Sequence, residues 1–109
     1  MIRRAFTMQL KLGASAEYIR HHDGIPVNWP NLVEEIRNSG IAQITTFADG
    51  ERLFLYSVIT DEGAWDRLWT SETHRQWAEL MQPLMNMDEN SMVQAGDLKE
   101  IFHLATDAK

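Results

Sequence analysis

Residues 41–59, Ile-Ala-Gln-Ile-Thr-Thr-Phe-Ala-Asp-Gly-Glu-Arg-Leu-Phe-Leu-Tyr-Ser-Val-Ile, decide the fold. Ile41 to Phe47 and Leu53 to Ile59 are strand-like runs rich in β-branched and aromatic residues. Asp49-Gly50 between them is a tight-turn pair, so the segment reads as a β-hairpin. Successive strand residues point to opposite faces. The second run is therefore apolar twice over, with Leu53, Leu55 and Ile59 on one face and Phe54, Tyr56 and Val58 on the other. Such a strand needs cover on both sides.

Upstream, Phe6, Met8, Leu10 and Leu12 alternate with Ala5, Thr7, Gln9 and Lys11, the period of a strand. Ser15 is positioned as an N-cap and Glu17 lies in the first turn of a helix carrying Tyr18 and His22. Gly24 to Pro30 interrupts that helix. Pro30 suits the first turn of a second piece through Leu32, Val33 and Ile36, ending at Ser39-Gly40. Downstream, Thr60-Asp61-Glu62 opens a helix with Trp65, Leu68 and Trp69 on one stripe. Thr73 with Gln76 forms a capping-box pattern before Trp77, Leu80 and Met81. Leu98 to Leu104 reads as the last strand. The order β-α-β-β-α-β is an α+β, ferredoxin-like unit. Its helices cover one sheet face, and a second copy of the sheet is the simplest cover for the other, which predicts a homodimer.

The chain of 109 residues is expected to form one domain with one core. The net charge of −6 and the scattered basic residues argue against nucleic acid or an anionic membrane as partner. Cysteine is absent, which removes disulfides, thiolate metal sites and thiol nucleophiles. With no run of the ~20 apolar residues a membrane helix needs and no signal-peptide pattern, the expected location is cytoplasmic.

Four groups of residues carry chemistry. Tyr18 and His22 are four apart on a helix, so a phenol and an imidazole share one face. Together they can donate and accept protons near neutral pH. The bland alternative is an ordinary amphipathic helix. His21 and His22 point ~100° apart and lack ligand spacing, so no metal is expected. Among Trp29, Trp65, Trp69 and Trp77, the second and third fit a core stripe. Trp29 and Trp77 sit beside breaks or polar residues, where an indole can face the apolar side of a sugar. Asn86 to Ser91 is a polar loop whose side chains suit sugar hydroxyls. No phosphate loop, dinucleotide glycine pattern or nucleophile elbow is present.

The chain also resembles the L-rhamnose mutarotase family over nearly its whole length. Met1-Ile2-Arg3-Arg4-Ala5-Phe6-Thr7-Met8-Gln9-Leu10 is similar to that family's opening strand. Glu17-Tyr18-Ile19-Arg20-His21-His22 is similar to its catalytic helix, and Trp29-Pro30-Asn31-Leu32 to its Trp-Pro-x-Leu helix start. Trp77 with Met81, Asn90-Ser91, and Leu98-Lys99-Glu100-Ile101-Phe102-His103-Leu104 follow in the same order. The resemblance implies a dimeric α+β barrel that uses no cofactor and interconverts the α and β anomers of a hexose. It implies that His22 and Tyr18 are the acid-base residues and that Met8, Trp77 and Asn90 line or support the sugar pocket. Trp29 joins them as a candidate sugar contact.

Three departures from the family pattern lie at the pocket rim. Asp23-Gly24-Ile25-Pro26-Val27-Asn28 lengthens the loop after His22. Ala78 stands where a second tryptophan is usual. Met87-Asp88-Glu89-Asn90-Ser91-Met92 lacks the family's prolines. The rim senses hydroxyl configuration, so among 6-deoxyhexoses L-fucose is expected in preference to L-rhamnose. The competing readings are a non-catalytic sugar-binding or interaction module of the same fold and a small α+β barrel oxygenase.

Overall fold

The computed structural model describes residues 1–86 and 95–106. The elements run β1 (Ile2–Gln9), α1 (Ser15–Asp23), α2 (Ile25–Asn28), α3 (Pro30–Ser39), β2 (Ile41–Asp49), β3 (Arg52–Ile59), α4 (Ala64–Trp69), α5 (Glu72–Met81), a 3₁₀ turn (Gln82–Leu84) and β4 (Ala95–Leu98). The four strands form one antiparallel sheet in the order β2-β3-β1-β4. This is the ferredoxin-like α+β arrangement expected from the element order.

β3 shows why the helices lie on one face. Leu53, Leu55, Ser57 and Ile59 are buried, and Phe54, Tyr56 and Val58 between them are half-exposed. The buried set packs with Phe6 and Leu10 of the first strand region and with Tyr18, Leu32, Trp65, Leu68, Trp77 and Met81 of the helices. Phe6 meets Trp65 and Trp69 edge-on at 5.1 and 5.6 Å. Trp69 is nevertheless 40% exposed and only borders the core to which its spacing with Trp65 assigned it.

Ser57 is, with Ser39, one of two buried polar side chains among the described residues. It accepts from the Trp65 indole Nε1–H at 2.9 Å and donates to the Arg4 carbonyl at 2.8 Å. Both halves of its hydroxyl are used, so it fastens α4 to β3 and β1. Ser57→Ala is expected to lower stability by about 1–3 kcal/mol, because it leaves a buried indole N–H without an acceptor. A thermal melt followed by circular dichroism checks this, and an unchanged midpoint would contradict it.

Several local expectations shift. α1 has no side-chain cap, since Ser15 is its first residue and Ala14 its N-cap. α5 is capped by Ser71, whose Oγ accepts from the His74 N–H, and Thr73 lies inside the helix. Leu12 lies beyond β1 and is exposed. The interruption after His22 contains the one-turn α2, with Pro26 at the start, where a missing N–H costs nothing. α3 ends as expected at Gly40, whose φ of +100° is left-handed and whose missing Cβ leaves room for Thr60 Oγ1.

Two findings could not have come from periodicity. An irregularity in β2 between Ile41 and Gln43 advances the pairing, so that Ile41 faces Ile59 but Gln43 faces Val58. The extra residue moves Phe47 to the face of Phe54, away from the helices. The last strand is Ala95–Leu98, not Leu98–Leu104, because β1 pairs Ala5–Met8 with residues 95–98 and the ladder ends there. Beyond it, Ile101, Phe102 and Leu104 are exposed.

Candidate active site

The chain after α5 is stitched back to the end of β1. Lys11 N–H donates to the Leu84 carbonyl at 2.8 Å, Asn86 N–H donates to the Gln9 carbonyl at 2.9 Å, and Leu10 bridges to Met85. This closure lays the 3₁₀ turn against α1 while α5 packs on α3, and four aromatic side chains meet there. Tyr18 and His22 stack with ring centroids 3.9 Å apart. The edge contact of His22 with Trp77 is 5.0 Å, and Trp77 meets Trp29 at 5.3 Å. Tyr18 and Trp77 are buried, while His22 and Trp29 keep part of their surface open.

The geometry assigns the histidine nitrogens. His22 Nδ1 lies 2.9 Å from the backbone carbonyl of Tyr18. A carbonyl can only accept, so Nδ1 carries the proton of the neutral ring and Nε2 keeps the lone pair. Burial lowers the His22 pKa, with the Tyr18 carbonyl pulling partly the other way. The neutral, proton-accepting ring therefore prevails at pH 7. Burial pushes the Tyr18 hydroxyl up to about 12, so it is held protonated as a donor.

The other candidates are placed as follows. Met8 lies on β1 opposite Leu53 and Ala95, half-buried against the core. Asn90 lies outside the described residues. His21 sits 3.7 Å from the Glu17 carboxylate, one helical step away from the stack. His74 packs near Trp69 at 6.4 Å, outside the aromatic group, and burial lowers its pKa to about 4. Among the described residues no three His, Asp or Glu side chains converge as metal ligands. No helix among them is long and apolar enough to cross a membrane.

Sequence reasoning missed two parts of this site. The Tyr18 carbonyl fixes the histidine tautomer, a role no side-chain pattern reveals. The α2 turn carries the chain from His22 to Trp29, whose N–H donates to the Ile25 carbonyl at 2.8 Å. Pro26 near a helix start was the available signal.

Comparison with known proteins gives a consistent result. A family model described as L-rhamnose mutarotase matches residues 3–104. A Listeria monocytogenes protein named L-rhamnose mutarotase is 34% identical over 107 residues, covering 96% of this chain and 100% of that one. The crystal structure of L-rhamnose mutarotase FA22100 from Formosa agariphila aligns with a TM-score of 0.80 at 23% identity, over 96% of this chain and 100% of that chain. A Nitrosomonas europaea protein of the antibiotic biosynthesis monooxygenase kind shares the fold at TM-score 0.61 and 11% identity, over 92% of this chain and 89% of its own.

Proposed function

The chain belongs to the L-rhamnose mutarotase family, isomerases that act on carbohydrate anomers, and from that premise we propose that it interconverts the α and β anomers of a 6-deoxy-L-hexose through His22 and Tyr18. The observation that carries this is the His22 ring, stacked on Tyr18 and tied through Nδ1 to a backbone carbonyl. That leaves one basic nitrogen and one protonated phenol in the same stack.

His22 Nε2 takes the proton of the anomeric hydroxyl as Tyr18 donates to the ring oxygen. The bond between C1 and the ring oxygen breaks, its electron pair goes to that oxygen, and C1 becomes an aldehyde. Rotation about C1–C2 presents the other carbonyl face. Reclosure returns the ring-oxygen proton to Tyr18 and the His22 proton to the anomeric oxygen. The step is proton-neutral overall and needs no cofactor. General acid and base assistance of this kind is worth ~10²-fold or more per group. Trp77 and Trp29 supply apolar walls for the sugar's C–H face, with Met8 and Asn90 completing the set of sugar contacts.

The rim departures favour L-fucose over L-rhamnose. The α2 turn, Ala78 and the proline-free stretch around Asn90 differ from the family pattern where a pocket would sense hydroxyl configuration. Saturation-transfer NMR of both sugars is expected to show faster exchange for L-fucose at matched enzyme concentration. Equal or faster exchange of L-rhamnose overturns the preference. No acceleration of any aldose overturns the mutarotase reading in favour of a sugar-binding module.

The active form is a cytoplasmic homodimer joined by the helix-free sheet face. Phe47 and Phe54 are directly opposite each other there, beside Tyr56, Val58 and Leu98. An apolar surface of this kind favours association with a second copy.

A further inference from the structure

We propose that Trp69, His74, Asp97 and Arg4 form an outer carbohydrate subsite beside the reacting sugar, so that the chain also takes a reducing disaccharide whose second pyranose lies on Trp69; this rests on the mutarotase reading. Trp69 is the tryptophan that the core leaves open. Trp65 and Trp77 are buried and Trp29 is half-exposed, whereas 40% of Trp69 reaches solvent. Its ring is nonetheless held in place. It stands edge-on to Phe6 at 5.6 Å and is tilted against Trp65 at 5.9 Å and His74 at 6.4 Å. An open indole that is already fixed loses little freedom on binding, and it matches the apolar C–H face of a pyranose.

Polar groups rim this indole on the helix side of the sheet. Asp97 is directly opposite Phe6 in the β1–β4 ladder, and Arg4 is two residues before Phe6 on β1. Side chains directly across and two apart share a face, so both flank the Phe6 side chain against which Trp69 stands. Arg4 Nη2 lies 3.2 Å from Asp97 Oδ1, and most of the Asp97 side chain is exposed. A carboxylate accepts from neighbouring hydroxyls and a guanidinium donates to them. His74 completes the rim. Burial alone lowers its pKa to about 4, so the ring is neutral at pH 7 and offers one donor and one acceptor. An aromatic floor with a few polar groups at its edge is the composition of a sugar site.

Place in the fold ties this subsite to the anomeric chemistry. On β1, Phe6 and Met8 share a face two residues apart, a step of about 7 Å. On α5, His74 and Trp77 are three apart, a rise of about 4.5 Å between neighbours on the helix surface. Phe6 and His74, both against Trp69, are thus next in line to Met8 and Trp77, the residues assigned to the reacting sugar. One such step is close to the length of one pyranose unit. O3 and O4 of a hexopyranose lie across the ring from the reacting end, so a second unit linked there points away from His22. It takes no part in the proton transfers. Association through the helix-free face of the sheet leaves the subsite open.

The test measures anomer exchange by saturation-transfer NMR for L-rhamnose, L-fucose, and the derivatives of each that carry an α-L-rhamnopyranosyl unit on O3 or O4. The intact chain is expected to show, for at least one disaccharide, a KM ~10-fold below that of its parent monosaccharide. Trp69→Ala is expected to return that KM to the monosaccharide value while monosaccharide exchange stays as it was. Asp97→Ala is the companion, because a mostly exposed carboxylate in a surface ion pair can be lost without unfolding the chain. It should raise the disaccharide KM ~3-fold or more. Should Trp69→Ala unfold, Asp97→Ala decides alone. Disaccharides exchanged no better than their parents by the intact chain overturn the subsite and leave the mutarotase reading standing. A disaccharide advantage that survives Trp69→Ala also overturns it, as does a parallel fall for both kinds of sugar, which would mark Trp69 as packing only. Exchange of no sugar at all removes the mutarotase reading and the subsite with it.

Discussion

His22→Ala is expected to slow anomer exchange by ~10²-fold or more while the circular dichroism spectrum remains native. The ring is partly open to solvent at the end of α1, so its loss removes a proton acceptor without emptying the centre of the core. His21→Ala is the matched control. The two residues are adjacent, and ~100° of helix phase separates a ring stacked on Tyr18 from one beside the Glu17 carboxylate. That second contact is a surface pair and is worth little. Tyr18→Phe keeps the stacked ring and deletes only the donor, so it should slow exchange without unfolding the chain. Near-full exchange in His22→Ala would end the acid-base assignment.

The same residue sets a pH signature. Burial is the main cause of the lowered His22 pKa, so the free base already dominates at neutrality. The kcat/KM profile should be flat near pH 7 and fall in acid with an inflection below the ordinary 6.5 of an imidazole. An inflection above 6.5 would contradict the buried, neutral ring. Stability should follow in the same direction. The unfolded chain binds protons at His22 and His74 more readily than the folded one. Their contribution is therefore complete above pH 6.5 and lost as pH falls toward about 4, the value for His74.

Trp77→Ala is expected to cost about 3–5 kcal/mol of stability, the range for emptying a large aromatic from a core. Trp77 is 6% exposed and is the junction of the site, since its ring touches His22 on one side and Trp29 on the other. Its removal opens a cavity under the histidine, and exchange should fall even where the variant is folded. Trp77→Phe separates the two effects. A smaller ring keeps much of the apolar filling but not the edge contact with His22, so roughly tenfold slower exchange with most stability retained is expected. Urea titration and NMR exchange on both variants check this. A loss under 1 kcal/mol in Trp77→Ala would show that the indole is not part of the core.

The first three strands, the hairpin around Asp49-Gly50 and the shared face of Tyr18 and His22 were legible because each depends on residues a few positions apart. Alternation reports a pleated strand, a four-residue spacing reports one helix face, and Asp-Gly reports a tight turn whatever surrounds it. The two-sided apolar character of Leu53 to Ile59 likewise announced that both sheet faces need cover. Tertiary structure decided what local spacing cannot encode. The irregularity after Ile41 sent Phe47 to the open face, a choice made by register against β3. Pairing with β1 moved the last strand to Ala95–Leu98 and left Ile101, Phe102 and Leu104 exposed, because alternation shows that a segment suits a ladder but not which strand accepts it. Trp77 became the hinge of the site only when the chain after α5 was bonded back to the end of β1. Which nitrogen of the His22 ring stays free was set by a backbone carbonyl, and every residue has one, so no sequence pattern could single it out.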